Sequence, residues 1–145
     1  MHGVLMPIHD DIYALPIEWV REVLADPTVT RLATAPPAVL GLINLRGEIV
    51  PLLDTAALLG LGTVAAASFA VVVNTPLGPA ALAVTSFPQR AELTDPLGRS
   101  ELRGTTETYR VNERVVVVLD ADVLLDPERL GVPDPRVSSH SLGSS

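Results

Sequence analysis

A mostly β chain built from two similar halves is the fold this sequence predicts, and three observations carry the prediction. The thirteen prolines and ten glycines are spread along all 145 residues, which suits short strands and tight turns better than long helices. Hydrophobic residues make up 48% of the chain but aromatics only 3%, so its core must be assembled from Val, Leu, Ile and Ala. Finally, GEIVPLLDTAALL (Gly47 to Leu59) lies over ERVVVVLDADVLL (Glu113 to Leu125) at a constant offset of 66. Ile49 falls on Val115, Leu53 on Leu119 and Asp54 on Asp120. At almost the same offset ALPIEWV (Ala14 to Val20) lies over ALAVTSF (Ala81 to Phe87).

Taken in order, the first expected strand is Val4 to Ile8. Its Pro7 cannot donate to a ladder and confines pairing there to an edge or a bulge. His9, Asp10 and Asp11 read as a hairpin turn into a strand from Ile12 to Ile17. Trp19 to Leu24 reads as a short helical piece. Two strands, Val39 to Leu45 and Ile49 to Leu53, flank a reversal at Gly47, and a short helix follows at Thr55 to Leu59. The second half predicts strands at Phe69 to Val73, Ala80 to Val84, Thr105 to Tyr109 and Val115 to Leu119, then a helix at Ala121 to Leu125. From Pro127 the apolar periodicity is lost and the chain ends in Ser and Gly. One domain over residues 1–130, with a flexible tail over 131–145, is the expected organisation.

Composition excludes several function classes. A formal net charge of −7 argues against nucleic acid and anionic membrane as partners. All ten basic residues are Arg, so no lysine Schiff base or phosphate-loop lysine exists, and the absence of Cys removes thiol nucleophiles and thiolate metal sites. The start, MHGVLMPIHDD, has no basic segment ahead of an apolar one and does not read as a secretory signal. No apolar run approaches the roughly 18 residues a membrane helix needs. These features predict a soluble, cytoplasmic protein without cofactor or small-molecule substrate.

Asp54 and Asp120 each end an apolar strand and precede an Ala- and Leu-containing stretch, where a side-chain oxygen caps a helix N-terminus. A competing reading takes LLDTA as half of an aspartic protease site, in which two such loops share a proton between carboxylates. Against it, Ala56 stands where that signature has Gly, and the second copy, LDAD, lacks both the hydroxyl and the Gly. Asp120, Asp122 and Asp126 have neither the spacing nor the Gly of a calcium loop. His2, His9 and His140 lie near the termini and suit no Ser-His-Asp arrangement.

The stretch GLINLRGEIVPLLD places Asn44, Arg46 and Glu48 around Gly47, a hairpin whose tip carries an arginine. Upstream, EWVREVL offers Glu18 and Glu22, either of which could hold that guanidinium by its fork. Spacing alone leaves open an ordinary surface arginine.

YALPIEWVREVL, VLGLINLRGEIVPLLDTAALLGLG and RVNERVVVVLDADVLL together resemble the CheW-like domain family, the coupling proteins of bacterial chemotaxis arrays. The middle block carries the most specific signal, and the resemblance spans Ile12 to about Leu125. It implies two small five-stranded β-barrel lobes related by a pseudo-twofold, with short helices. It also implies a non-catalytic adaptor between chemoreceptor cytoplasmic tips and the regulatory domain of a CheA-type histidine kinase. Carried over, Arg46 matches the motif arginine of partner contacts and Glu22 the acid opposite it. Asn44 and Gly47 would shape the turn, and Val20 and Val23 would add apolar area. The sequence departs from the family at Thr85, where an acid is usual, and at Pro88, which redirects the chain. That leaves room for a divergent scaffold of another kinase pathway or an array-capping module.

Overall fold

Strands and one-turn helices follow one another in an order that occurs twice. The computed structural model describes residues 1–64 and 67–125. The first half runs β1 (His2–Ile8), β2 (Asp11–Pro16), a 3₁₀ turn (Ile17–Trp19), β3 (Val20–Ala25), β4 (Val29–Thr30), β5 (Val39–Leu45), β6 (Glu48–Asp54) and α1 (Thr55–Leu58). The second runs β7 (Phe69–Thr75), β8 (Gly78–Val84), β9 (Gln89–Glu92), β10 (Pro96–Arg99), β11 (Thr105–Val111), β12 (Arg114–Leu119) and α2 (Ala121–Leu124).

Two six-stranded sheets result, ordered β3-β7-β8-β6-β5-β4 and β9-β1-β2-β12-β11-β10. Exchanging each strand for its counterpart in the other half turns one order into the other, which is the pseudo-twofold the repeat predicts. Each sheet borrows a hairpin from the other half. The first lobe takes β7 and β8, with β8 running parallel to β6, and the second takes β1 and β2, with β2 running parallel to β12. Registers repeat too: Leu52 lies opposite Ala81 in one lobe and Val118 opposite Ala14 in the other. Six strands stand where five were expected, because short edge strands complete each sheet.

The exchange explains why FAVVV and AALAV lack polar alternation. A hairpin buried between two lobes needs apolar side chains on both faces. In β1 and β2, Met6, Ile8 and Leu15 point into a cluster shared with the first lobe, containing Val50, Leu52 and Leu82. Ala14, with half-buried Leu5 and Ile12, fills a smaller cluster inside the second lobe with Leu93, Val116 and Val118.

Three sequence expectations change. Trp19 to Leu24 is not helical: after the 3₁₀ turn, residues 20–25 form β3, half-buried and exposed residues alternate along it, and it pairs antiparallel with β7. Its apolar spacing also fits a helix, but the free edge of β7 offers a complete ladder instead. The first strand is internal, lying between β2 and β9. Pro7 is tolerated because β9 pairs only with His2 to Leu5, so nothing from β9 asks Pro7 for an N–H. The short strands β4, β9 and β10 were not expected at all. The proposed tail 131–145 lies outside the described residues.

Among the described residues no helix is long and apolar enough to cross a membrane.

Candidate functional site

Arg46 and Gly47 form a two-residue hairpin loop between β5 and β6, with φ of 51° and 87°. Positive φ at both central positions is the twist-matched hairpin geometry that Asn-Gly satisfies most readily. Gly47 adopts it without penalty, whereas Arg46 holds a left-handed conformation unfavourable for a side chain of its type. Asn44 Oδ1 accepts a hydrogen bond of 2.9 Å from the Gly47 N–H and fixes the turn. Asn44 and Gly47 therefore shape the loop, as the resemblance implies.

From this loop the Arg46 guanidinium reaches Glu22 on β3. Its Nη1 donates to Oε1 at 3.2 Å and its Nη2 to Oε2, so the fork engages both oxygens. Beside it Arg21 Nη1 donates to Glu48 Oε1 at 2.9 Å. These are the two ion pairs among the described residues. Three strands, β7, β8 and β6, would separate β3 from β5 by roughly 19 Å in a flat sheet at about 4.8 Å per step. Direct pairing across that interval means the sheet curls until β3 meets the hairpin tip, and charges close a seam that no ladder closes.

The pair remains wet. The Arg46 side chain is 65% exposed and that of Glu22 26%. The hydrogen bond from Arg46 holds the Glu22 carboxyl below the ordinary carboxylate range, and slight desolvation opposes it. The charges of Arg46 and Arg21 act in the same direction as the hydrogen bond. The same bond raises Arg46, so both partners report one interaction. A surface pair of this kind contributes little to folding but holds a guanidinium in one orientation.

Apolar area adjoins the charges. Val23 is exposed, Val20 is half-buried and packs against the core, and Ile49 on the outer face of β6 is 57% exposed. The structure thus joins Arg46, Asn44 and Gly47 on the hairpin to Glu22 on β3, the strand that also carries Val20 and Val23. It adds Arg21 and Ile49, which sequence reasoning missed, and gives Glu48, already read as part of the hairpin tip, a partner in Arg21. The alternation in EIVPL, with Val50 and Leu52 inward, was the available signal for Ile49.

Asp54 and Asp120 are helix caps. Asp54 Oδ1 accepts from Ala57 N at 3.0 Å, and Asp120 Oδ1 accepts from Val123 N at 3.4 Å. Asp54 also receives the Val64 N–H, at 3.2 Å on Oδ1 and 3.1 Å on Oδ2. At 1% exposure its carboxylate is committed to the backbone and closed to a substrate. Asp122 lies in the first turn of α2, and Asp126 lies outside the described residues.

A family model described as the CheW-like domain matches residues 2–129. Among solved structures, the scaffolding protein TtCheW from Thermoanaerobacter tengcongensis superposes with a TM-score of 0.72 at 20% identity. The match covers 86% of this chain and 92% of that one. At this identity the likeness concerns the fold. No curated protein matches the chain.

Proposed function

The chain belongs to the CheW-like domain family, and from that premise we propose that it is a non-catalytic cytoplasmic adaptor coupling chemoreceptor tips to the regulatory domain of a CheA-type histidine kinase. The observation that carries the reading is Arg46. A hairpin of this geometry favours Asn or Gly, yet an arginine occupies the left-handed position, forked onto Glu22 and 65% exposed. Turn stability does not account for that choice, and presentation of an oriented guanidinium to a partner does.

In this reading Arg46 and Glu22 form the polar part of the contact surface, with Val20 and Val23 beside them. Apolar burial there supplies affinity at about 25 cal/mol per Å² before ordering costs. The charges mainly set register and partner choice. The family and its scaffold role account for the fold without any reaction step.

A second reading, a module that caps arrays or serves another kinase pathway, draws on the second lobe. There Gln89 takes the ladder position of Glu22 and Asn112 the turn position of Arg46. Titration of the purified protein against the kinase regulatory domain and, separately, a receptor tip fragment decides between them. Binding to both, each weakened by Arg46→Glu, is the coupling outcome. Binding to the kinase alone is the capping outcome, and binding to neither removes both.

A further inference from the structure

A cleft between the lobes lies away from the Arg46 surface. One wall is the chain leaving α1, Leu59 to Leu61, the other is Leu102 and Arg103 ahead of β11 with Thr105 at its start, and Tyr13 of β2 forms the floor. The cavity volume is about 150 Å³. Small-molecule sites usually occupy about 300–1,000 Å³, whereas a cavity near 150 Å³ accepts a group the size of benzene. The cleft therefore suits one inserted side chain better than a cofactor.

Both walls are fixed before anything binds. Leu61 N donates to Ala56 O at 2.8 Å and Gly60 N to Ala57 O at 3.1 Å, tying one wall to α1. On the other, Thr105 N donates to Leu102 O at 3.2 Å, and the Thr105 hydroxyl donates to Ser100 Oγ at 2.7 Å. Leu102 is 60% exposed at the rim, where burial by a partner would gain most. Arg103 beside it makes no hydrogen bond or ion pair among the described residues. An apolar slot with a free guanidinium at its mouth is complementary to an apolar side chain carrying a carboxylate next to it in sequence.

We infer that this cleft is a second docking site, taking a single Leu-, Met- or Phe-sized side chain from an acidic segment of a protein partner, with Arg103 pairing the adjoining carboxylate. β6 starts at the Arg46 hairpin and ends at α1, and the steps between its seven residues, at roughly 3.4 Å per step, span about 20 Å. The two surfaces can accordingly be occupied together, and the inference does not depend on which partner holds Arg46.

The test is an NMR titration of the full chain with two synthetic probes, acetyl-Ser-Phe-Asp-Ser-amide and its Lys counterpart, reading the Leu61 and Leu102 methyls and the Tyr13 ring. The acidic probe should shift these signals and leave Arg46 unmoved. Arg103→Glu, on an exposed loop, should weaken the acidic probe about tenfold and favour the basic one. No shift with either probe, or equal shifts with both, overturns the inference. A peptide of residues 126–145 that displaces the acidic probe would give the cleft to this chain's own C-terminal segment. Pocket shifts that depend on protein concentration without a probe would give it to a second copy. Either result overturns the partner assignment.

Discussion

The two lobes share strand order, register and caps, yet they differ at the seam. In the first, β3 and the β5–β6 hairpin are joined by Arg46 to Glu22 and Arg21 to Glu48. In the second, the matching places hold Asn112 and Gln89, and Pro88 and Arg114. Arg114 donates instead to the Asp10 carbonyl at 2.6 Å. Asn112 has φ of 49°, nearly that of Arg46, but as an asparagine it accepts the left-handed region readily. The same fold forms with either solution, so the charged seam is not what the fold requires. The lobes differ inside as well. Ile43 and Leu45 are buried in the first, while their counterparts Tyr109 and Val111 are only partly buried around the smaller cluster.

That contrast is tested most strongly in the cores. Leu53→Ala, at a position 1% exposed within the larger cluster, should cost about 2–5 kcal/mol in a denaturant melt. Leu93→Ala removes an equally buried leucine from the smaller cluster, whose partly buried neighbours can relax into the gap, and should fall at the low end of that range. Equal losses would mean the second lobe is packed as rigidly as the first.

The caps give the next effect. Asp54→Ala strands the Val64 N–H in a buried site and removes a cap, for an expected loss of about 1–3 kcal/mol. Asp120→Ala breaks a longer, exposed cap and should cost about 0.5–1 kcal/mol by the same melt. Reversal of that order would show that the extra Asp54 bonds contribute nothing net.

How much of this was legible beforehand follows the same division. The repeat exposed the pseudo-twofold because hydrophobic strands and capping aspartates recur at fixed spacing. Val39 to Leu45 was bounded correctly because alternation and Gly47 punctuate it. β3 was misread because Val20, Val23 and Leu24 satisfy helical spacing, and only the neighbouring edge of β7 decides the matter. β9 and β10 are short and largely exposed, so no hydrophobic period marks them. For Arg46, the turn position was visible and the residues alone narrowed its partner to Glu18 or Glu22, between which family resemblance pointed to Glu22. Arg21 and Glu48 are 27 residues apart and meet only because the sheet curls, which no local pattern encodes.

Charge reversal at the seam should change stability little and binding greatly. Arg46→Glu places two carboxylates together, yet the site is wet, so the melt midpoint should stay close to that of the parent. Partner affinity should fall at least about tenfold by titration, as expected for an oriented charge at a contact. Restoring the pair in reverse, with Glu22→Arg and Arg46→Glu together, rebuilds the seam but presents the opposite charge at the tip. Recovery of binding in that double variant would mean the seam itself, and not the guanidinium, is what the partner needs.

The smallest effect is the acid titration of Glu22. Its carboxyl is held low in the folded chain by the Arg46 hydrogen bond, so the folded value lies below the unfolded one. The pair's contribution is then complete above the unfolded value and is lost as the pH falls through the folded one, in acid. Carboxyl NMR should show Glu22 titrating below the ordinary range in the parent and returning toward it in Arg46→Ala. Because water reaches both side chains, added salt should shrink the difference. A shift that survived high salt would mean the seam is drier than its exposure indicates, and would move Arg46 from a presented group toward a structural one.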